Sequence, residues 1–237
     1  MKQGYWAIII IIGLLLTLSI IPISPLYNIN WALFSAIIIG LAMLAFFWRF
    51  EKSGVTSKEI ALVATMASLA AISRIPFAVI ISLQPTTFMV MITGYVFGAQ
   101  TGFMTGALAA LVSNMFLGQG PWTPWQMFCW GMCGVSAALL AGREKRFKFR
   151  TFLLLGGFWG YLFGWIMNIW HWVGFVYPLT LETFAATYIA SFAFDTLHAV
   201  GNVIFTILLG KSFYQILMRF KNKSLVTYLN PSCFEEI

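Results

Sequence analysis

Few side chains in this 237-residue chain can carry chemistry, and most of them lie within apolar sequence. Asp195, His198 and Asn202 follow one another at near-helical spacing, which puts them on one helix face. Arg74 closes one apolar run, and Asn168 and His171 close another. A charge inside hydrocarbon costs several kcal/mol, so such residues are normally paired or functional. Three readings of Asp195 stay open. It can form a structural ion pair with Arg74, it can line a cavity and contact a ligand, or it can join His198 in a metal or proton relay. The last is poorly supplied, because no further carboxylates accompany the pair.

A second group sits in Asn114–Trp130, NMFLGQGPWTPWQMFCW. It combines three tryptophans, Trp122, Trp125 and Trp130, with three amides, Asn114, Gln119 and Gln126. Gly118, Gly120, Pro121 and Pro124 force a stiff, non-helical turn between two apolar runs. Flat apolar surface plus neutral hydrogen-bonding groups suits a large polar ligand that is uncharged or zwitterionic. The competing reading is an interfacial tryptophan belt around a tight loop. The belt explains the aromatics better than it explains the amides. With Asn168, His171, Asp195, Arg74 and Gln84, these residues are expected to converge on an outward cavity.

Other chemistries lack their motifs. No G-x-x-x-x-G-K-[ST] occurs, so the chain does not hydrolyse ATP itself. G-x-S-x-G, H-E-x-x-H and paired carboxylates are also missing, which disfavours an intramembrane enzyme. Cys129 and Cys133 are four apart on one apolar segment and read as packing residues, and Cys233 lies in the tail. No cofactor and no metal are expected.

The elements that must position these groups follow from composition. Hydrophobic residues make up 60% of the chain and charged residues 9%, against about 25% charged in soluble domains. The chain is therefore an all-α, polytopic membrane bundle. The net charge of +7 marks cytoplasmic loops, not a nucleic-acid surface. Eight apolar segments are predicted: Tyr5–Ile21, Trp31–Phe50, Ser57–Arg74, Phe88–Phe97, Gly102–Leu117, Pro124–Ala141, Thr151–Val173 and Ala185–Phe213. The first resembles a signal-peptide core, but no A-x-A cleavage site follows it. Ser57 is the expected N-cap of its segment, with Glu59 in the first turn. Ile75–Thr87, with Pro76, Gln84 and Pro85, reads as a loop or re-entrant stretch. Lys and Arg cluster in 49–58, 143–150 and 211–223, and the opposite loops contain none. Positive-inside then gives a multi-pass cell-membrane protein with both termini cytoplasmic.

The string G-Q-G-P-W-T-P-W-Q-M, preceded by S-N and followed by W-G, resembles the substrate-binding S components of energy-coupling factor (ECF) vitamin transporters. The resemblance covers about Lys58 to Arg219, and the nearest subgroup is linked to cobalamin uptake. It implies a six-helix core at 57–223, preceded by two added N-terminal helices in 1–56 and followed by a tail at 224–237. The implied partners are two ATPase subunits and a transmembrane coupling subunit. An A-x-x-x-A pattern on the first core helix docks on that coupler in the family, which points to Ala67 and Ala71. Ala64 and Ser68 form a parallel small-xxx-small pair. Packing within the chain explains such pairs equally well. For the substrate, a small anion would want a basic lining and a thiamin-like cation would want clustered acids, of which only Glu182 and Asp195 are available. A corrinoid, rich in amides and broadly planar, matches Trp122, Trp125, Gln119, Gln126, Asn114 and Asn168 best. An autonomous secondary transporter using Asp195 and His198 is the alternative.

Overall fold

The structure, a computed structural model, describes residues 30–52, 54–80, 82–142 and 146–224, with residues 8, 10–15 and 18 of the first apolar stretch. Most of the segment expected at Tyr5–Ile21, nearly all of the Pro22–Asn30 loop, Arg143 and Lys145 of the basic cluster, and the tail with Cys233 lie outside the described residues. The described elements run α1 Trp31–Lys52, α2 Ser57–Phe77, α3 Thr86–Phe97, α4 Ala99–Leu117, α5 Thr123–Ala141, α6 Phe149–Phe175 and α7 Leu181–Ser224. Four of them, α1, α2, α6 and α7, are long and apolar enough to cross a membrane. The all-helical expectation is met; boundaries differ by a few residues at most ends.

Helix α2 is capped by Thr56, not by the expected Ser57. Glu59 N–H donates to Thr56 Oγ1 at 3.3 Å, and the Glu59 carboxylate takes the Thr56 N–H at 3.0 Å. A capping box needs its Glu three residues past the cap, and Glu59 has that spacing to Thr56. The helix also runs through Pro76 to Phe77, beyond the expected end at Arg74. Pro76 offers no N–H to the Ile72 carbonyl, and the helix continues only one residue beyond it. The segment between α2 and α3 is a short chain of turns around Ser82, narrower than the loop expected over Ile75–Thr87.

Helix α3 is the axis of the bundle. It has 12 residues, and every residue from Thr86 to Val96 is buried. At about 1.5 Å per residue it reaches roughly 18 Å, well short of a hydrocarbon core of about 30 Å. It packs against α2, α4, α5, α6 and α7 in turn. Buried on all sides, it carries no amphipathic stripe.

Glycine allows that density. Gly98, with φ near 104°, reverses the chain between α3 and α4, a conformation that favours glycine. Just inside the reversal, Gly94, Gly102 and Gly134 meet backbone to backbone. A Cβ on Gly94 would overlap the Gly134 carbonyl, and one on Gly102 would overlap the Gly94 Cα. Gly106 meets the backbone at Trp130 and Gly131 in the same way. On the other side of the bundle Gly160 lies against the backbone of Ala199, joining α6 to α7.

The two ends of the bundle differ in chemistry. At one end Tyr95 Oη donates to the Arg146 carbonyl and accepts from the Lys148 N–H, each at 3.0 Å. Lys221 Nζ donates to the Val96 carbonyl there, and Gln100 Nε2 to the carbonyl of Phe46 on α1. The basic residues thus gather where α1, α3 and α7 finish and α2, α4 and α6 begin. The connections at the opposite end, 78–85, 118–122 and 176–180, carry no Lys or Arg among their residues.

The glycine contact is testable. Gly134→Val should cost about 1–3 kcal/mol or more by overpacking, seen as a lower melting temperature and less monodisperse protein. Gly157→Ala, where the added carbon would stand 3.6 Å from Val203 Cγ2, should leave both unchanged.

Candidate functional site

The site is built on one buried cation. Arg74 emerges from the last turns of α2 and is 9% exposed. Its Nε donates to Gln84 Oε1 at 3.0 Å. Its Nη1 donates to Ser113 Oγ and to Asn114 Oδ1, both at 2.7 Å. The guanidinium carbon stands 4.8 Å from the centroid of the Trp130 ring, a cation–π contact. The partners are neutral, so they fix the fork without cancelling its charge.

Each partner is itself held. Asn114 is 1% exposed and donates through Nδ2 to Thr123 Oγ1 at 3.1 Å and to Gln126 Oε1 at 2.8 Å. The Trp130 Nε1–H donates to Thr87 Oγ1 at 3.0 Å, and His198 Nε2 lies 2.8 Å from that same hydroxyl. His198 meets Phe163 edge-on at 5.3 Å. The chain of bonds therefore runs from α2 through α4 and α5 to the start of α3 and across to α7.

Opposite Arg74 stands a second framework on α6 and α7. Asn168 Nδ2 donates to Ser191 Oγ at 2.6 Å, and Ser191 Oγ donates to Asp195 Oδ2 at 3.0 Å. Asp195 is 6% exposed and rests on Gly164, where any Cβ would overlap its carboxylate. Between the two frameworks lies a cavity of about 290 Å³. Arg74, Gln84, Gln126 and Trp130 line one side and Asn168, Asp195 and His198 the other, with Phe163, Met167 and Phe194 supplying apolar surface. A shallower groove between α6 and α7 shares Asn168, Ser191 and Phe194 with it and adds His171 at its rim.

The structure sorts the expected residues. Arg74, Gln84, Gln126, Trp130, Asn168 and Asp195 come together at the cavity. Asn114 supports it from behind. Gln119 does not reach it: its amide donates to the Leu111 carbonyl at 2.8 Å and accepts from Thr123 Oγ1. Trp122 leans on Trp170 edge-on at 6.3 Å. Trp125 is buried, and among the described residues its indole nitrogen and that of Trp170 have no hydrogen-bond partner. His171 is exposed and stacks on Phe175 at 5.9 Å. Asn202 turns away from Asp195 and donates to the Gly156 carbonyl at 2.9 Å, tying α6 to α7. Of the readings open for Asp195, the ion pair with Arg74 is not formed among the described residues; each residue is held by its own neutral partners. Thr87, Ser191 and Gly164 are additions. Ser191 stands one helical turn before Asp195, a spacing that the sequence displays. Nothing in the sequence singles out Thr87.

The small-residue faces of α2 also separate. Ala67 and Ala71 are buried, at 3% and 1% exposure, within the chain's own bundle. Their burial is the packing within the chain that was left open beside docking. Ala64 and Ser68, on the neighbouring stripe, are exposed together with Ala61, Thr65 and Leu69. Cys129 and Cys133 are free and buried. Among the described residues no three His, Cys, Asp or Glu side chains stand close enough to hold a metal ion.

The family model of the ECF transporter substrate-specific component matches residues 58–228. The chain belongs to this family. The matched span opens one residue into α2 and takes in α2–α7, and α1 lies outside it. No curated protein and no solved structure matches the chain. As an S component it is a membrane transport subunit that binds substrate and works with an ECF module, and it is not an enzyme.

In this S component Asn114 is the hub of the cation's support. Asn114→Ala should destabilise the protein by about 1–3 kcal/mol, because it strands a buried charge-assisted donor. Gln119→Ala, which loses an exposed bond to the Leu111 carbonyl and a part-buried one from Thr123, should cost less, about 1 kcal/mol or below. Thermal melting of the purified variants compares the two.

Proposed function

We propose that this S component captures a small polar solute from the outer face of the cell membrane in the Arg74 cavity. It delivers that solute to an ECF module of two ATPases and a transmembrane coupling subunit. One observation carries the reading: a guanidinium fixed by Gln84, Ser113 and Asn114 at the wall of a cavity with an aromatic floor. Such preorganised polar groups in an apolar chamber are what a small-molecule site requires.

The cavity's size bears on the substrate. Drug-sized ligands fill about 300–1,000 Å³, and this chamber of about 290 Å³ lies at the foot of that range. A corrinoid is larger than such ligands, and Gln119, Trp122 and Trp125, which favoured it, stand outside the lining. The geometry supports a compact, planar vitamin-like solute over cobalamin. Autonomous secondary transport needs a proton or ion couple, for which Asp195 and His198 are the available pair. Dependence of uptake on the ATPase partners separates the two mechanisms.

For docking, the open stripe Ala64–Ser68 on α2 supports close approach of a partner helix. Ala64→Trp and Ser68→Trp should each cut uptake into cells carrying the module by about tenfold or more while substrate affinity stays within about twofold, since a bulky residue blocks approach without touching the cavity. Normal uptake by both variants would remove this face from the coupling surface. Orientation follows from the basic end being cytoplasmic. Reporter fusions at Lys223 should read cytoplasm and an accessible tag at Gly120 should read outside; a cytoplasmic Gly120 would reverse the access side.

A further inference from the structure

Two opposite charges line the same chamber and do not meet. Arg74 is held by α2, α4 and the α2–α3 connection, and Asp195 by Ser191 on α7, backed by Asn168 on α6. Among the described residues no hydrogen bond or ion pair joins one framework to the other at these residues. Among the described residues Arg74 Nη2 has no hydrogen-bond partner, and neither has Asp195 Oδ1. Neither atom is sealed off, since both residues line the cavity and neither atom is among the fully buried orphans.

That arrangement is costly if nothing else completes it. A guanidinium stays charged, and a charge away from water is tolerated only when paired and hydrogen-bonded. The cheapest repair would be a direct Arg74–Asp195 bridge. The chain instead anchors each group backward: Asn114 fixes Arg74 in one direction, and the Gly164 contact fixes Asp195 in another. Rigid anchoring of both leaves the space between them for a molecule carrying the complementary charges.

We infer that the ligand of this cavity is dipolar, with a carboxylate or similar anionic head on Arg74 Nη2 and a protonated amine or strong donor on Asp195. This rests on the reading of the cavity as the capture site. The body between the two heads passes Trp130 and Phe163, which line the chamber, so an apolar, compact body suits it. Gln84 and Gln126, neutral and beside Arg74, can each accept or donate to groups near the anionic end. A singly charged ligand would leave one of the two cavity-facing charges without a complementary group. A neutral one would leave both.

The test uses the full chain in lipid nanodiscs and a defined panel of compact aromatic probes matched in size. 4-(Aminomethyl)benzoate and other amino-acid-type zwitterions form one class. 4-Methylbenzoate, 4-methylbenzylamine and 4-methylbenzamide represent the anionic, cationic and neutral classes. Binding is read by calorimetry and by thermal shift. The expected result is that the tightest binder is a zwitterion and exceeds its singly charged counterparts by about tenfold or more, the factor for one charged hydrogen bond. Asp195→Asn, which keeps the side-chain shape, should remove that advantage by weakening the zwitterion, while 4-methylbenzoate binds as tightly as before or more tightly because a like charge has left the chamber. Arg74→Gln should weaken the zwitterion and 4-methylbenzoate together. A preference for the anionic, cationic or neutral class overturns the dipolar ligand and leaves capture in this cavity standing. An Asp195→Asn variant that keeps the zwitterion advantage overturns it as well. No binding from any class overturns this inference and the small-solute reading together.

Discussion

The structure depends on keeping one arginine charged and immobile inside an apolar bundle. Desolvating a guanidinium is expensive, and only fixed hydrogen-bond acceptors offset that cost. Gln84, Ser113 and Asn114 provide them, and they come from different parts of the chain. Holding Arg74 therefore requires α2, α4 and the α2–α3 connection to be in register. Asn114 extends the requirement to α5 through Thr123 and Gln126. A polar network of this kind gains from low dielectric only if each member is satisfied.

Register of that quality needs close backbones. Leucine-sized side chains between α3, α4 and α5 would push the acceptors out of reach of Arg74. Glycine at 94, 102, 106 and 134 removes that spacing. The same device sets α6 against α7, where Gly160 meets Ala199 and Gly164 makes room for the Asp195 carboxylate. Packing and chemistry are thus joined at Gly164: the glycine that lets the helices approach also seats the acid. The short α3 leaves its first turn beneath the cavity, so that Thr87 anchors Trp130 and His198 at once.

Much of this was legible in the sequence, and the limits have physical causes. Composition announces a helical membrane bundle, and isolated charges such as Arg74 and Asp195 stand out because hydrocarbon makes them expensive. Direction is what residue type does not supply. Trp122, Trp125 and Gln119 sit in the same string as Trp130 and Gln126, yet only the latter two line the cavity. The turn at Gly118–Trp122 points its side chains by local geometry that residue type alone does not encode. The stripes of α2 show the same limit. Ala64–Ser68 and Ala67–Ala71 have one spacing and one composition, and neighbouring helices alone decide which is covered. An Arg74–Asp195 pair was one reading that charge alone allowed; the two residues are instead tied to different helices.

Helix α7 is a single unbroken rod of 44 residues from Leu181 to Ser224. At about 1.5 Å per residue it is roughly 66 Å long, about twice the depth of the hydrocarbon. Asp195 lies on its upper third and Lys221 near its foot. Mechanically that makes it a lever. With some 40 Å of stiff helix below Asp195, a tilt of about 5° at the chamber displaces the foot by roughly 3–4 Å. The foot grips the Val96 carbonyl through Lys221, at the turn where α3 ends. Chamber and far end thus lie on one continuous helix, with no break in it to absorb a tilt between Asp195 and Lys221.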